Sequence, residues 1–271
     1  MPKRSSEGRK VPAPVRADPW EQQWRQTWSK VGTPGYELPI GGPGGDERDF
    51  LAHARTPAGE KKRLKRISDE FARSFKALYP VGPAVTVFGS ARFKEDHGYY
   101  QLARAVGAEL AKAGFATLTG GGPGIMEAAN RGAYEIGGAS YGLNIILPHE
   151  QCENPYVDKS IEFHYFFTRK VCLVKYSCAF IVMPGGLGTL DELFEAATLI
   201  QCQKIGPFPI ILMGEKFWDG MRKWGQFMMK QGVFAKDEIG FGRITDSPEE
   251  AVDLIIRTLP PAVRKQLKPA P

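Results

Sequence analysis

The sequence predicts an α/β protein, a Rossmann-like three-layer sandwich in which helices cover both faces of a mostly parallel sheet. Short apolar runs alternate with segments of helical periodicity from residue 81 onward, a pattern typical of parallel sheets buried on both faces. Three of these runs end in glycine-containing turns. At 271 residues and 42% hydrophobic content, the chain can bury a sizeable core.

A helical N-terminal extension is predicted to precede this domain. Trp20, Trp24 and Trp28 recur every fourth residue and share one face of a short helix, which either docks onto the chain's own domain or clasps a partner. Apolar residues at helical spacing, from Leu64 to Leu78, then predict a helix over residues 57–78. The basic run within that helix is interpreted as a solvated face.

Seven apolar runs are predicted strands because each is short and bounded by turn residues. In order they are residues 84–88, 115–119, 140–147, 161–166, 179–183, 208–213 and 242–245. Apolar residues at three- and four-residue spacing predict the intervening helices. These are residues 99–113, 125–136, 168–176, 190–202, 217–231 and 248–258, the last with Ser247 as its N-cap.

The domain organisation follows from composition and charge. The predicted parts are a disordered basic arm (1–19), the helical extension (20–80), the Rossmann-like domain (81–259) and a C-terminal tail (260–271). The net charge of +6 lies at the ends, because residues 1–16 carry +4, residues 257–271 carry another +4, and the rest carries −2. This distribution argues against nucleic-acid binding by the folded body.

Cysteine and histidine placement argues against disulfides and metal sites. The cysteines form no CxxC pair and are expected to be buried, reduced thiols: Cys152, Cys172, Cys178 and Cys202. The histidines are scattered without ligand spacing, so no metal and no cofactor are expected. Because neither a secretory signal nor an apolar run of about 20 residues is recognisable, we expect a cytoplasmic protein without membrane contact.

The most informative stretch is residues 184–192, Pro-Gly-Gly-Leu-Gly-Thr-Leu-Asp-Glu, here called the PGG segment. It joins the predicted strand 179–183 to the predicted helix 190–202. Because glycine has no side chain, backbone N–H groups can approach an anion closely, and the positive end of a helix also attracts anions. A small phosphorylated ligand is therefore predicted here, with the carboxylate of Glu192 facing it.

A purely structural interpretation of the same residues is a capping box, with Thr189 as N-cap and Glu192 reaching back to it. A capping box does not account for the three preceding glycines, and a cap and a ligand site can coexist. Arg169 and Lys170 stand at the start of the predicted helix 168–176, where positive charge opposes the helix dipole. Their placement indicates an anionic partner, such as a phosphate or Glu192.

Two further junctions end predicted strands: the first loop (89–92, Gly-Ser-Ala-Arg) and the second loop (120–124, Gly-Gly-Gly-Pro-Gly). Ligands of open α/β sheets bind at the carboxyl ends of the strands, so three such junctions favour one shared ligand site. Neither the second loop nor the PGG segment contains GxGxxG or GK[ST]. This absence argues against a dinucleotide oxidoreductase and a P-loop NTPase.

The PGG segment matches the pattern PGGxGTxxE and, together with Arg169 and Lys170, resembles the Lonely Guy (LOG) family. Its members are cytokinin riboside 5′-monophosphate phosphoribohydrolases or, more broadly, nucleoside monophosphate nucleosidases. The first loop and residues 120–128 are similar to the family's first two loops, and the resemblance covers about residues 83–258. It implies a hydrolase that cleaves the N-glycosidic bond of AMP or cytokinin riboside monophosphates to free base and ribose 5-phosphate.

The resemblance also implies roles for individual residues. Glu192 would bind the ribose hydroxyls and stabilise an oxocarbenium-like sugar or position the water, and Arg169 would stabilise the departing base or the bound anion. The implied substrate- and phosphate-binding residues are Ser90, Gly121, Gly122, Lys170, Gly185, Gly186, Leu187, Gly188, Thr189, Leu190, Asp191 and Thr198. A homodimer or higher homo-oligomer is implied as well, with Met126, Glu127 and Asn130 as second-loop or intersubunit contacts.

Two features differ from the compact plant enzymes: the second loop continues Gly-Ile-Met-Glu-Ala instead of Gly-Leu-Met-Gly, and about 80 residues precede the domain. Both resemble longer bacterial members and favour AMP or another nucleotide over a cytokinin nucleotide. The alternative is a non-catalytic protein that binds a phosphorylated ligand, similar to molybdenum-cofactor carriers, which would not need Arg169 with Glu192. Lysine decarboxylation, the family's former label, is disfavoured because no Schiff-base lysine with an acidic partner for pyridoxal phosphate is apparent.

Overall fold

The computed structural model describes residues 19–30, 33, 56–146, 154–206, 209–233 and 242–270. The chain divides into two compact units, Met1–Ala54 and Arg55–Pro271. The first contains the predicted short helix, α1 (Pro19–Trp28). The side chains of Trp20, Trp24 and Trp28, and the predicted basic arm before residue 19, lie outside what is described.

The second unit alternates helices and strands. Its helices are α2 (Pro57–Leu78), α3 (Gly98–Lys112), α4 (Ile125–Glu135), α5 (Phe166–Lys175), α6 (Leu187–Gln201), α7 (Glu215–Lys230), α8 (Pro248–Thr258) and α9 (Pro261–Arg264). Its strands are β1 (Ala84–Phe88), β2 (Ala116–Thr119), β3 (Ser140–Ile145), β4 (Lys159–Phe163), β5 (Ala179–Val182), β6 (Ile210–Met213) and β7 (Ile244–Thr245). The predicted elements are confirmed with ends that differ by at most three residues, and α9 falls in the stretch predicted to be a tail.

The strands form one seven-stranded parallel sheet in the order β4-β3-β2-β1-β5-β6-β7. β1 pairs with β2 on one side and with β5 on the other, so the chain reverses its winding direction beside β1. Ligands of such sheets bind at this reversal, beyond the carboxyl ends of the strands. The first loop, the second loop and the PGG segment follow β1, β2 and β5, and therefore meet there.

Apolar cores cover both faces of the sheet, as predicted. Because successive side chains of a strand point to opposite faces, β1 contributes to both cores. Val85 and Val87 pack with α3, α4 and α8 on one face, whereas Ala84 and Phe88 pack with α2, α5 and α6 on the other. Burial on both sides accounts for the uninterrupted apolar sequences of β5 and β6.

Helix α2 presents its inner face to the second of these cores. Thr56 caps it, accepting a hydrogen bond from the Gly59 N–H at 3.0 Å. Leu78 is fully buried, but Leu64, which the spacing assigns to the same apolar face, is 65% exposed. The buried face therefore begins further along the helix than predicted, and it includes a carboxylate, that of Glu70.

Two other predictions concern membrane contact and thiols. Within the described part of the chain, no helix is both long and apolar enough to cross a membrane. Cys172 is buried, Cys178 is half-buried and Cys202 is exposed, all three as free thiols. The prediction of burial is thus wrong for Cys202, and Cys152 lies outside the described residues.

Candidate active site

Backbone hydrogen bonds join the three junctions at Ser90. Its N–H donates to the carbonyl of Pro184 at 3.0 Å, and its carbonyl accepts from the N–H of Ile125, also at 3.0 Å. The Ser90 hydroxyl accepts from the Arg92 N–H at 3.2 Å. The first loop thus connects the start of the PGG segment with the start of α4.

Side chains from β2 and β3 hold the second loop in place. Thr119 Oγ1 accepts from the Gly121 N–H at 2.9 Å. With its amide nitrogen facing the loop, Asn144 donates to the carbonyls of Gly120 and Gly121 at 3.0 and 3.3 Å, while its oxygen accepts from Ser160 Oγ at 3.2 Å. Asn144 is not among the residues predicted from the sequence, where the available signal was an amide within a mainly apolar segment.

A buried hydrogen-bond network lies behind the second loop. Asn130 accepts from Thr119 Oγ1 at 2.6 Å and donates to Ser140 Oγ at 2.7 Å. Asn154 Nδ2 donates to Asn130 Oδ1 at 3.0 Å. Asn130 is fully buried and bonded within its own chain, so an intersubunit contact does not suit it. It supports the loop through Thr119.

Met126 and Glu127 begin α4 directly after the second loop. The Met126 side chain lies against Gly120 and Gly122, since a Cβ on Gly120 would be 2.8 Å from its sulfur. Glu127 accepts from the Tyr100 hydroxyl at 2.6 Å. Burial, and then this carboxylate, raise the pKa of Tyr100 to about 12. Met126 is thus close to the predicted ligand loop, whereas Glu127 is engaged with α3.

Helix α6 begins at Leu187, three residues earlier than predicted, with Gly186 as its N-cap. Thr189 is therefore the third helical residue, and the capping-box interpretation is wrong. The Leu190 N–H already donates to the Gly186 carbonyl at 3.0 Å. The N–H groups of Leu187, Gly188 and Thr189 belong to the first turn, which has no intrahelical acceptors. Three backbone donors therefore mark the predicted phosphate position.

Arg169 and Glu192 form a buried ion pair beside this turn. Arg169 Nη2 donates to Glu192 Oε1 at 2.7 Å, and the two side chains are 10% and 11% exposed. The guanidinium carbon lies 5.4 Å from the centre of the Phe166 ring. Arg169 Nη1 also approaches Gly120, where a Cβ would be 3.3 Å away. The guanidinium therefore lies between the second loop and α6.

Opposing effects act on the Glu192 carboxyl group. Burial raises its pKa, the Arg169 guanidinium lowers it, and the larger effect of burial leaves the pKa at about 7. Arg169 Nε is buried and has no hydrogen-bond partner among the described residues. A carboxylate that titrates near neutrality beside an unused buried donor is typical of a functional site.

Several predicted phosphate contacts are placed differently. Lys170 Nζ lies 3.1 Å from Asp191 and 2.8 Å from Glu195, so carboxylates already balance its charge. Thr198 stands about 16 Å along α6 from Leu187, and its hydroxyl donates to the Phe194 carbonyl at 2.7 Å. The structure does not bring Thr198 to the start of α6.

Comparisons with known proteins relate this chain to one family. A family model described as possible lysine decarboxylase matches residues 126–255. The cytokinin riboside 5′-monophosphate phosphoribohydrolase of Mycobacterium tuberculosis is 31% identical over 158 residues, covering 56% of this chain and 82% of that protein. The chain belongs to the LOG family.

Two further proteins are similar to this chain, one in sequence and one in structure. The LOG phosphoribohydrolase of Oryza sativa subsp. japonica is 28% identical over 173 residues, covering 62% of this chain and 69% of that protein. A solved molybdenum cofactor binding protein from Rippkaea orientalis is 27% identical, with a TM-score of 0.48, over 65% of this chain and 96% of that chain.

Helix α5, which carries the LOG residues Arg169 and Lys170, begins at Phe166, two residues earlier than predicted. The two cations are therefore its fourth and fifth residues. Glu70, on the distant helix α2, accepts from the His164 N–H and, at 3.0 Å, from Thr168 Oγ1. Glu70 is not among the residues predicted from the sequence, because nothing local distinguishes it from the other charged residues of α2.

Proposed function

We propose that this LOG-family chain is an N-glycosyl hydrolase that cleaves nucleoside 5′-monophosphates into free base and ribose 5-phosphate. The observation that carries the proposal is the buried Arg169–Glu192 pair beside the open first turn of α6. The names of the curated relatives support the same class of reaction. A protein that only held a phosphorylated ligand would use the open turn but not the buried carboxylate.

The phosphate would bind to the first turn of α6. The N–H groups of Leu187, Gly188 and Thr189 are donors there, and the helix dipole favours an anion at the same place. Because Lys170 is already paired with two carboxylates, the backbone supplies most of the local attraction. Glu192 follows Thr189 by about 5 Å along the helix axis, a distance that suits the ribose of a bound 5′-phosphate.

The reaction needs charge stabilisation at the sugar. The bond between C1′ and the base nitrogen breaks with its electron pair leaving on the base, and C1′ becomes electron-deficient. The ionised Glu192 would stabilise this carbon and orient a water, whose oxygen bonds to C1′ while its proton ends on the base. Arg169 holds Glu192 and keeps Nε available for the leaving base or another anion.

The finer details of the proposal concern substrate and assembly. The Gly-Ile-Met-Glu-Ala sequence after the second loop and the N-terminal extension support AMP or another nucleotide over a cytokinin nucleotide. We also propose a cytoplasmic homodimer that acts without a cofactor. The exposed aromatic side chains of Phe166, Trp224 and Phe227 are the kind of surface that a second copy covers.

The test is release of free base, measured by chromatography after incubation with AMP, isopentenyladenosine monophosphate or unphosphorylated adenosine. We expect release from a monophosphate and much slower release from adenosine. Glu192→Gln and Arg169→Ala should each lower the rate by about 100-fold or more, the usual effect of removing a transition-state electrostatic contact.

Matched controls come from surface ion pairs: Glu109→Gln, paired with Lys112, and Arg222→Ala, paired with Asp219. Both should retain the wild-type rate. Tight binding of a nucleotide without release of base from any substrate would contradict the hydrolase and favour the phosphorylated-ligand carrier.

A further inference from the structure

Helix α5 lacks the residues that normally stabilise a helix start. Tyr165 stands at its N-cap and does not cap it through the side chain, and the first turn contains no acidic residue. Arg169 and Lys170 follow at the fourth and fifth positions, where positive charge is unfavourable. The sequence of α5 alone therefore does not explain why Arg169 is held in one place.

Helix α2 contacts the start of α5 through a residue 94 positions before His164. Glu70, which is 3% exposed, accepts from the His164 N–H through one carboxylate oxygen. Its other oxygen lies 3.0 Å from Thr168 Oγ1, whose hydroxyl is shared with the Tyr165 carbonyl at 2.8 Å. A carboxylate at this position favours the positive end of α5 and offsets the two cations that follow. Thr168, fully buried, is the residue directly before Arg169.

Other contacts from α2 hold the same connection between β4 and α5. Arg73 Nη2 donates to the Glu162 carbonyl at 2.7 Å. The Arg63 guanidinium lies 5.4 Å from the centre of the Tyr165 ring. Glu70 thus lies at the centre of a set of contacts that fixes residues 162–168, and its own bonds are those closest to Arg169.

We propose that Glu70 is a positioning residue for Arg169, and that α2 is in this way a working part of the active site. The proposal rests on the proposed hydrolase function, in which Arg169 must hold Glu192 in the correct position relative to the leaving base. Glu70 does not touch Glu192 in the contacts described above; it acts through the backbone of His164 and the hydroxyl of Thr168. Its loss should loosen the first turn of α5 and displace the guanidinium.

The decisive experiment is a double-mutant cycle on base release from AMP. Glu70→Ala should lower kcat at least 10-fold and change KM less than twofold, because the phosphate donors on α6 are untouched. In an Arg169→Lys background, where the guanidinium is already lost, Glu70→Ala should lower kcat less than twofold further. Asp69→Ala, which removes an exposed carboxylate paired with Lys65, is the control and should leave kcat unchanged.

A second measurement does not depend on activity. Hydrogen exchange of the peptide covering residues 164–176 should be at least 10-fold faster in Glu70→Ala than in wild type, with no change in Asp69→Ala. Glu70→Gln covers the case in which the alanine variant fails to fold, because its amide oxygen can accept from the His164 N–H while its nitrogen donates to Thr168 Oγ1, whose hydroxyl then donates to the Tyr165 carbonyl. It should lower kcat about threefold, and less than 1.5-fold in the Arg169→Lys background.

The outcomes separate the two proposals. Equal losses of kcat in both backgrounds, or unchanged exchange of the peptide, would overturn the role of Glu70 even if the protein hydrolyses nucleotides. If wild type releases no base from any nucleotide, the hydrolase proposal fails. The exchange comparison would then still decide whether Glu70 holds the first turn of α5.

Discussion

The second loop and the PGG segment have similar sequences and different uses for their glycines. Gly121 and Gly124 have φ angles of 71° and 69°, and an added Cβ would overlap Asn144 at the first position and the Ser90 carbonyl at the second. Gly186 and Gly188 have no heavy atom within 4 Å of an added Cβ. Glycine permits close packing in one segment and leaves the backbone open in the other.

This difference bears on which segment would hold the proposed ligand. In the second loop, side chains of β2 and β3 already engage the Gly121 N–H and the carbonyls of Gly120 and Gly121. The first turn of α6 is exposed at Leu187 and Gly188, and its first N–H groups have no intrahelical acceptors. Gly185 is the exception within the PGG segment, because an added Cβ would overlap the Thr189 side chain. A count of glycines does not distinguish these roles.

The largest expected effect is on stability, from Gly124→Ala in the second loop. An alanine there must adopt a positive φ, and its Cβ would meet backbone atoms of Ser90 and Ala91. Backbone strain and overpacking together should lower the free energy of unfolding by about 3 kcal/mol or more. Urea denaturation measures this. A loss below about 1 kcal/mol would show that the second loop tolerates side chains, and the comparison would not hold.

The next effect concerns pH and belongs to Glu192 of the PGG segment. Burial raises its pKa to about 7, so lowering the pH through that value protonates the carboxylate that the proposed reaction needs. We expect kcat/KM for AMP to fall about tenfold per pH unit below this pKa. Protonation of the substrate phosphate, whose second pKa is about 6, would cause a separate fall in kcat/KM about one pH unit lower.

Glu192→Gln is the control for this pH profile, because its residual kcat/KM should no longer fall as the pH drops below about 7. A wild-type profile that stays flat from pH 5 to 8 would exclude an ionised Glu192 from the rate-determining step.

A third effect separates ligand binding from stability at one position. Gly188→Asp places a carboxylate in the first turn of α6, where it favours the helix by about 0.3–1 kcal/mol but repels a phosphate. We expect KM for AMP to rise at least about 10-fold, equivalent to roughly 1.4 kcal/mol, with an unchanged or higher melting temperature. If KM stays at the wild-type value, the phosphate binds elsewhere.

The smallest effect is expected from Gly188→Ala, which is the matched control for both Gly124→Ala and Gly188→Asp. The added methyl group has open space, and alanine is favoured over glycine within a helix by about 1 kcal/mol. The protein should be slightly more stable, with KM within about twofold of wild type, because the backbone N–H is retained. Destabilisation of the size expected for Gly124→Ala would remove the distinction between the two segments.

The elements of the domain could be predicted because their signals are local. Burial on both faces makes strands such as β5 and β6 apolar throughout. Ser247 caps α8 as predicted, accepting from the Glu250 N–H at 3.1 Å. The start of α6 was predicted three residues late. Gly188 is a weak helix former, and a single apolar residue such as Leu187 gives no helical periodicity. Only the geometry after β5 shows that both residues already belong to the helix.

The contacts of the site could be predicted only in part. An anionic partner for Arg169 follows from two cations near a helix start, and the structure shows Glu192 in that position. Asn144 and Glu70 could not be found, because each acts on a segment that is distant in sequence. The residue pattern within one segment does not show which other segment packs beside it.

By itself the sequence determined the α/β class, the three glycine junctions and the LOG pattern, since these depend on residues that are neighbours along the chain. Only the tertiary structure decided that β1 lies between β2 and β5, which brings the three junctions together. It also decided that Glu192 pairs with Arg169 instead of capping its own helix, and that Glu70 of α2 contacts His164 and Thr168 at the start of α5. These pairings depend on strand order and helix packing, in which burial of apolar surface sets the distances between residues far apart in the chain.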